Sequence, residues 1–180
     1  MAITADHIRA TLTAYLDVHP DEKPELAAAL DLLDDGADLT ARNEFRGHAT
    51  AGAILTDPDG KILFIHHLAL DKWLLPGGHL EADDTALIGA ALRELAEETG
   101  IRPENVVPLG DHPLHIDVHP IPANDAKGEP AHQHIDFRFL FGTSADVAEL
   151  QAEEVTEAAW CGAETISDER LRARVVAALR

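Results

Sequence analysis

A central helical run, surrounded by short strand-like segments, most constrains what this chain can fold into. Residues 85–98 carry apolar side chains at helical spacing, and Gly100 follows, a residue typical of the position just beyond a helix. The strand-like segments around this run are 49–56, 61–67, 73–78, 106–109, 114–119, 134–142 and 155–161, and the third of them ends in a turn at its two glycines. Ser167 then caps a last amphipathic helix. Mixed strands interrupted by one helix and closed by another predict an α/β sandwich.

The first 45 residues differ from the rest because they contain two runs with apolar residues at helical spacing. Thr4 or Asp6 can cap a first helix that ends at His19-Pro20, and a second run extends over residues 24–33. Neither run carries visible chemistry. We expect residues 1–45 to form a helical N-terminal extension that packs either on the domain of residues 46–180 or on a second subunit of a homodimer.

Charge and composition exclude several classes of protein. The 180 residues include 14 Lys and Arg against 33 Asp and Glu, a net charge of −19, which argues against stable nucleic-acid binding. No apolar run approaches the length of a membrane span, and the lone Cys161 excludes an intramolecular disulfide. We therefore expect a cytoplasmic protein. If its substrate is anionic, something other than the side chains must supply positive charge, and a bound divalent metal is the obvious candidate.

Three carboxylates share one face of the central helix. Glu94, Glu97 and Glu98 lie at positions i, i+3 and i+4, so their side chains point the same way and repel one another. Mg²⁺ or Mn²⁺, which prefer oxygen ligands, would relieve that repulsion, and Arg93 can hold one carboxylate in place. A solvated acidic helix face is the alternative, and spacing alone does not choose between the two.

The segment from Gly78 to Ile101 resembles the signature of the Nudix hydrolases. That signature has a glycine, then a carboxylate, then Arg-Glu-hydrophobic-x-Glu-Glu-x-Gly-hydrophobic, and every defined position from Arg93 onward is met. The chain departs from the pattern once. The sixth residue after the glycine is Asp84 rather than glutamate, and Arg93 follows it by nine residues instead of eight.

The resemblance implies an α/β/α sandwich with a mixed sheet. It also implies metal-dependent hydrolysis, by water attack on phosphorus, of a nucleoside diphosphate linked to another group or of a nucleoside triphosphate. Glu94, Glu97, Glu98 and the carbonyl of Gly77 would be metal ligands, and Arg93 would orient the glutamates. The general base would be a signature glutamate or a carboxylate outside the signature, with three candidates: Glu153, Glu154 and Glu157.

Histidines are the second notable group of side chains. His115, Asp117 and His119 alternate along one strand-like segment, as do His132, His134 and Asp136 along another. The loop between them could return the chain antiparallel and bring the two rows together. Such a cluster could bind phosphates or a ribose, position the attacking water, or hold a separate Zn²⁺. His79 is a further candidate because it follows the Gly-Gly turn.

Other candidates carry two interpretations each. Trp73 could stack on a substrate base or end a strand in the core, and Arg46, with Arg42, could clamp phosphate or lie on the surface. Trp160 is expected in the core, and Cys161 is expected to be buried and inert.

Two other functions remain open at this point. The same fold can serve as a ligand sensor, although sensors usually lose signature carboxylates that this chain keeps. A prenyl-diphosphate isomerase ranks last because it would need a reactive cysteine near the site. The sequence does not reveal which diphosphate is the substrate.

Overall fold

A computed structural model describes residues 2–125, 128–147, 150–151 and 153–180 of the chain. Its helices are α1 (Ala5–Val18), α2 (Lys23–Asp34), α3 (Leu87–Thr99) and α4 (Glu169–Ala178). Its strands are β1 (His48–Thr56), β2 (Ile62–His67), β3 (Lys72–Leu74), β4 (Gly77–His79), β5 (Val106–Pro108), β6 (His115–Ile121), β7 (His132–Thr143) and β8 (Val155–Cys161). Single turns of 3-10 helix lie at Pro20–Glu22, Pro103–Asn105 and Ala163–Thr165.

The described strands form one mixed sheet centred on β1 and β7. These two strands run parallel along nine consecutive residue pairs, from His48 opposite His134 to Thr56 opposite Gly142. On its other edge β1 pairs with β4 near its start and with β2 near its end, both antiparallel. β7 pairs with β6 and β5, while β2 pairs with β3 and β8. The parallel central pair makes the sheet mixed, as expected.

The two faces of the sheet carry different side chains because successive residues of a strand point to opposite faces. On one face Ala51 and Ala53 of β1 and Phe137 of β7 pack in the main core with the apolar side of α3. On the other face Ile54 and Leu140 pack with Leu171 and Val175 of α4. Helices thus cover both faces, which confirms the α/β/α sandwich.

The N-terminal helices pack into the same core as the sheet. Leu12 of α1 and Leu26 of α2 are fully buried in one hydrophobic cluster with Phe137. The Tyr15 hydroxyl donates to Glu22 Oε2 at 2.7 Å, and Arg174 of α4 bonds to both residues. The helical extension therefore packs on residues 46–180 of its own chain, one of the two alternatives.

Several local expectations are confirmed and others are wrong. Thr4 caps α1, accepting from the His7 N–H, and Gly100 ends α3 in the left-handed region with φ 67°. The N-cap of α4 is Asp168, whose carboxylate accepts from Leu171, rather than Ser167. None of the helices in the described part of the chain is long and apolar enough to cross a membrane.

The side chains of Trp73 and Cys161 also differ from expectation. Trp73 lies on the short strand β3 with 44% of its surface exposed, so the alternative that it belongs to the core is wrong. Cys161 is a free thiol and only partly buried, packed against the smaller core cluster under α4, so it is less enclosed than expected. Trp160 packs partly buried against the main core, as expected.

Candidate active site

Two glycines bring strand β4 close to the sheet and to the glutamate helix. Gly77 has φ 154°, and a Cβ there would lie 2.6 Å from Gly52 Cα, so only glycine fits. Its N–H donates to Glu98 Oε2 at 2.9 Å. A Cβ on Gly78 would lie 2.7 Å from the Glu94 carboxylate. The Gly-Gly pair therefore lets backbone and carboxylates share a space that side chains would fill.

Arg93 joins the carboxylates to one another. Its Nη1 donates to Glu94 Oε1 and to Glu97 Oε2, both at 3.0 Å. Its Nη2 donates to the carbonyl of His79 at 2.9 Å, and the guanidinium also binds Asp84 through two hydrogen bonds. The geometry supports the expected orienting role of Arg93, since one planar fork fixes the positions of three carboxylates.

Asp84, the residue that departs from the family pattern, is buried beneath this network. Its Oδ2 also accepts from the Glu81 N–H at 2.7 Å. Burial acts to raise the pKa of Asp84, but the hydrogen bonds from Arg93 and Glu81 outweigh it, so the pKa lies below its usual value. Asp84 is thus an ionised anchor for Arg93.

The glutamates are crowded and partly withdrawn from water. Burial raises the pKa of Glu98 to about 8, and the charges of Glu94, Glu154 and Glu97 add to this while the Gly77 N–H opposes it. Burial likewise raises the pKa of Glu94, against the effect of Arg93. A Glu98 carboxyl that resists ionisation at neutral pH indicates a site short of positive charge.

The donor set at this position fits a hard divalent cation. Glu98 uses only Oε2 in its hydrogen bond to Gly77. Glu94 and Glu97 each bond Arg93 through only one oxygen. Clustered carboxylate oxygens are the ligands that Mg²⁺ and Mn²⁺ prefer, and a cation would offset the burial and the carboxylate repulsion that together raise the pKa of Glu98. The residues present therefore fit the expected metal.

Glu154 is an exposed carboxylate outside the signature that lies within electrostatic range of this site. It lies close enough to Glu94 and Glu98 to raise the pKa of both. The backbone nearby is tied to α3, because the Gln151 N–H donates to the Glu98 carbonyl at 3.3 Å and the Glu154 N–H donates to Gln151. Of the three glutamates considered from sequence, Glu157 instead lies within β8, opposite His66.

Most of the candidate histidines come together on the other face of the sheet. β6 and β7 pair antiparallel with His119 opposite His134, so the alternating residues predicted to share a face do so. The ring centroid of His134 lies 5.1 Å from that of His79, 5.2 Å from His132 and 5.7 Å from His119. A fifth ring, that of His48, lies 4.8 Å from His134. We call these five residues the histidine cluster.

Sequence reasoning missed His48 because it precedes the first strand-like segment and has no histidine neighbour in sequence. Its place in the cluster follows from the parallel register of β1 and β7, which sets it opposite His134. Burial lowers the pKa of His48, of His79 to about 4 and of His134 to about 3, and in each case neighbouring histidines lower it further. These three rings are therefore neutral at pH 7.

The cluster also contains an acidic neighbour. His119 Nδ1 lies 2.8 Å from Asp117 Oδ2, and this hydrogen bond raises the pKa of His119 against the effect of burial. Asp117 and Asp136 in turn flank Arg138, whose Nε donates to Asp136 Oδ2 at 2.7 Å. The row from the histidines to Arg138 forms a continuous polar strip on this face of the sheet.

Three predicted substrate-binding residues lie apart from the cluster. His115 is buried beside α4, with its Nδ1 3.1 Å from Arg174 Nη1. Arg46 is exposed and makes two hydrogen bonds to Glu44, at 2.9 and 2.7 Å. Trp73 contacts His66, with ring centroids 5.3 Å apart. Arg42, the other basic candidate, bonds Glu129 at 3.0 Å.

Successive residues of β4 point to opposite faces of the sheet and so separate the carboxylate site from the histidine cluster. Gly78 faces the Glu94 carboxylate of α3, whereas the next residue, His79, packs its ring against His48 on the opposite face. The carbonyl of His79 nevertheless accepts from Arg93. The carboxylate site and the histidine cluster are therefore neighbours that share one strand but not one surface.

Comparison with known proteins places this fold and site in one family. A family model described as "NUDIX domain" matches residues 46–179. This match covers well over half of the chain, so the chain belongs to the NUDIX domain family, which confirms the resemblance seen in the signature.

Two curated relatives match over shorter stretches. A "Probable DHNTP pyrophosphohydrolase" of Lactococcus lactis subsp. cremoris (strain MG1363) is 39% identical over 101 residues, which is 56% of this chain and 57% of that protein. An "RNA pyrophosphohydrolase" of Xylella fastidiosa (strain 9a5c) is 40% identical over 62 residues, 34% of this chain and 32% of that protein. The chain thus spans less than two thirds of the length of either relative.

Solved structures share the fold. The E. coli dihydroneopterin triphosphate pyrophosphohydrolase aligns with a TM-score of 0.55 at 16% identity, over 71% of this chain and 91% of that chain. A NUDIX family hydrolase from Clostridium perfringens aligns with a TM-score of 0.54 at 22% identity, over 73% and 95% of the two chains. At these identities the likeness shows the architecture alone.

Proposed function

We propose that this protein is a metal-dependent pyrophosphohydrolase that cleaves a phosphoanhydride bond in a nucleotide-type small molecule by attack of water on phosphorus. The observation that carries the proposal is that Glu94 and Glu97 both bind Arg93, while Glu98 on the same helix face binds the N–H of the close-packed Gly77. A solvated acidic helix face would leave all three carboxylates in water, whereas Glu98 is only 3% exposed.

The names of the relatives support the same reaction class. Both the Lactococcus and the Xylella proteins are described as pyrophosphohydrolases, although of different substrates. The net charge of −19 argues against prolonged contact with long RNA, so we favour a small nucleotide-type substrate. A nucleoside diphosphate linked to another group and a nucleoside triphosphate both fit this description.

Each residue of the site has a defined part in this proposal. Glu94, Glu97, Glu98 and the carbonyl of Gly77 would hold Mg²⁺ or Mn²⁺. The bound metal supplies charge neutralisation at the phosphates and a lowered pKa for water. Arg93 keeps the glutamates in position through the hydrogen bonds described above, and Asp84 fixes Arg93.

The general base is the remaining catalytic element of the proposal. Glu154 is our candidate because it lies within electrostatic range of Glu94 and Glu98 but makes no hydrogen bond to Arg93 among the described contacts. A carboxylate that Arg93 does not hold is freer to accept a proton from water. Replacing Glu154 by Gln should lower kcat with little change in KM.

Other properties stay predictions. These are the division of the chain after residue 45, a homodimer, a cytoplasmic location and contacts of Trp73, Arg46 and the histidines with substrate.

A substrate panel tests the proposed reaction. The full chain is incubated with nucleoside triphosphates, dihydroneopterin triphosphate, ADP-ribose, a nucleotide sugar and a short 5′-triphosphate RNA, with Mg²⁺, with Mn²⁺ and with EDTA. We expect phosphate or pyrophosphate release from at least one small molecule, abolished by EDTA. Absence of release from every compound with either metal would overturn the proposal and favour the ligand-sensor alternative.

A further inference from the structure

Three strands bring ring nitrogens of three histidines to one point. One nitrogen each from His48 of β1, His79 of β4 and His134 of β7 lie within 4.8 Å of one another. These residues are far apart in sequence and meet only because β4 and β7 flank the start of β1 on its two edges. The sheet itself therefore builds this arrangement.

Backbone carbonyls fix which ring nitrogen of two histidines carries the proton. His48 Nδ1 lies 3.3 Å from the Glu44 carbonyl, and His132 Nδ1 lies 2.8 Å from the Pro130 carbonyl. A carbonyl only accepts, so each Nδ1 carries the proton and each Nε2 keeps its lone pair. Metal-bound histidines characteristically donate their second ring N–H to such a carbonyl or to a carboxylate.

One of these lone pairs is left buried. His48 is 1% exposed, and its Nε2 has no hydrogen-bond partner among the described residues. A buried polar atom without a partner costs free energy, and native proteins rarely keep one without a reason. A cation seated between the rings would use this lone pair.

The spacing of a fourth ring fits the same ion. His132 Nε2 lies 3.3 Å from His134 Nε2. Two nitrogens bound to one tetrahedral zinc ion at about 2.0–2.1 Å lie roughly 3.3 Å apart. The two nitrogens are within hydrogen-bond distance of each other, and their separation is also that of two ligands on one ion.

We propose that His48, His79 and His134, with His132 as fourth ligand, bind one divalent transition-metal ion of the zinc type. Four protein ligands close the coordination sphere, which is typical of a structural rather than a catalytic ion. The ion would tie β1, β4 and β7 together and so hold in place the strand that carries Gly77 and Gly78. This site does not depend on the proposed hydrolase activity.

Ligand chemistry distinguishes this site from the carboxylate site. Imidazole nitrogens suit Zn²⁺, Co²⁺ and Ni²⁺, whereas Mg²⁺ prefers oxygen. The protein should therefore bind two kinds of metal at two places, and each place should be removable by its own substitutions.

Zinc binding by the full chain, without a polyhistidine tag, tests the proposal. Isothermal titration with Zn²⁺ is run in excess Mg²⁺, which occupies the carboxylate site, on the wild type, H48A, H134A and H79Q. The exposed His112 supplies the matched control H112A. Glu97→Gln/Glu98→Gln removes the carboxylate site as a second control.

We expect one tight Zn²⁺ site in the wild type, in H112A and in the glutamate double variant. H48A, H134A and H79Q should each weaken it by more than the ~100-fold that loss of a ligand's outer partner can cost. If loss of a more buried histidine prevents folding, H79Q still tests the site. Zn²⁺ should also raise the Tm of the wild type but not of H79Q.

Cobalt gives an independent readout of the ligands. Co²⁺ in the wild type should show the visible absorption of a four-coordinate site, and H132A should shift that spectrum by changing one ligand. The proposal is overturned if the wild type takes up no zinc, if the three histidine variants bind it as the wild type does, or if binding disappears only in the glutamate double variant.

Discussion

Arg93 and Asp84 are joined by two parallel hydrogen bonds, from Nε to Oδ1 at 3.1 Å and from Nη2 to Oδ2 at 2.9 Å. Asp84 is the residue at which the sequence departs from the family signature, by a shorter acid and one inserted residue. The shorter acid therefore still binds the signature arginine although one residue is inserted between them.

Asp84→Asn should therefore impair catalysis through Arg93 rather than through direct contact with substrate. We expect kcat to fall by about 10- to 100-fold, the range typical for partners that orient metal ligands, with KM much less affected. The neighbouring exposed Asp83 provides the control Asp83→Asn. A purely structural role would lower Tm while leaving the kcat of the folded protein unchanged, and that outcome would contradict this account.

Gly78→Ala should move the Glu94 carboxylate, which lies 2.7 Å from the position of the new Cβ. The carboxylate is the mobile end of its side chain, so the fold should survive while metal affinity and kcat fall. Gly89, in α3, has open space around its Cβ position and gives the control Gly89→Ala, which should keep full activity and be slightly stabilised, by roughly 0.5–1 kcal/mol. Equal activity of the two variants would show that Glu94 does not need its present position.

The helix was predictable from sequence because its signals are local. Glu94, Glu97 and Glu98 share a face through helical spacing alone, and Gly100 marks the end of α3. The pairing of β6 with β7 was also predictable, since the two alternating segments follow one another along the chain and the loop between them can return it antiparallel.

Properties set by distant pairing were not predictable. His48 joins the cluster only through its register against His134, 86 residues further along the chain, and no local pattern encodes that register. Gly-Gly is typical of turns and predicts a turn at this point of the sequence. In the structure the two glycines belong to strand β4, where they permit close packing against β1. The capping of α4 by Asp168 instead of Ser167 reflects two adjacent residues that are both good caps.

His115 should make stability fall as the solution becomes more acidic. Its pKa is lowered, first by burial and then by the positive charges of Arg138 and Arg174, against the opposite effects of Asp117 and Asp168. In the unfolded chain the ring takes up a proton near pH 6.5, whereas the folded protein resists this. Stability contributed by the neutral ring is thus present above pH 6.5 and lost as pH falls toward the lowered pKa.

Urea unfolding at pH 7 and pH 5 measures this effect. His115→Gln should lose less unfolding free energy than the wild type between the two pH values, because glutamine does not titrate. The exposed His112 gives the control His112→Gln, which should follow the wild type. Identical losses in His115→Gln and the wild type would count against the assignment.

Glu22 should be essential for attaching the N-terminal helices to the sheet. It is 1% exposed and bonds both Tyr15 and Arg174, so Glu22→Ala leaves the mostly buried Arg174 guanidinium without a carboxylate, with its bonds to Tyr15 and the Leu114 carbonyl remaining. The loss should be about 3–5 kcal/mol of unfolding free energy. Glu25→Ala, at an exposed residue 3.5 Å from Arg170, should cost no more than ~1 kcal/mol. Similar costs for both would indicate that the helices are only loosely attached.

The central claim is that the α3 glutamates form the catalytic metal site of a pyrophosphohydrolase. The most direct measurement is the Mg²⁺-dependent rate of phosphoanhydride cleavage by the wild type and by Glu97→Gln/Glu98→Gln, with the exposed Glu104→Gln as control. Circular dichroism and urea unfolding establish that each variant is folded. We predict a loss of at least ~100-fold in the double variant and none in Glu104→Gln. A folded double variant that cleaves the same bond at the wild-type rate would contradict the account.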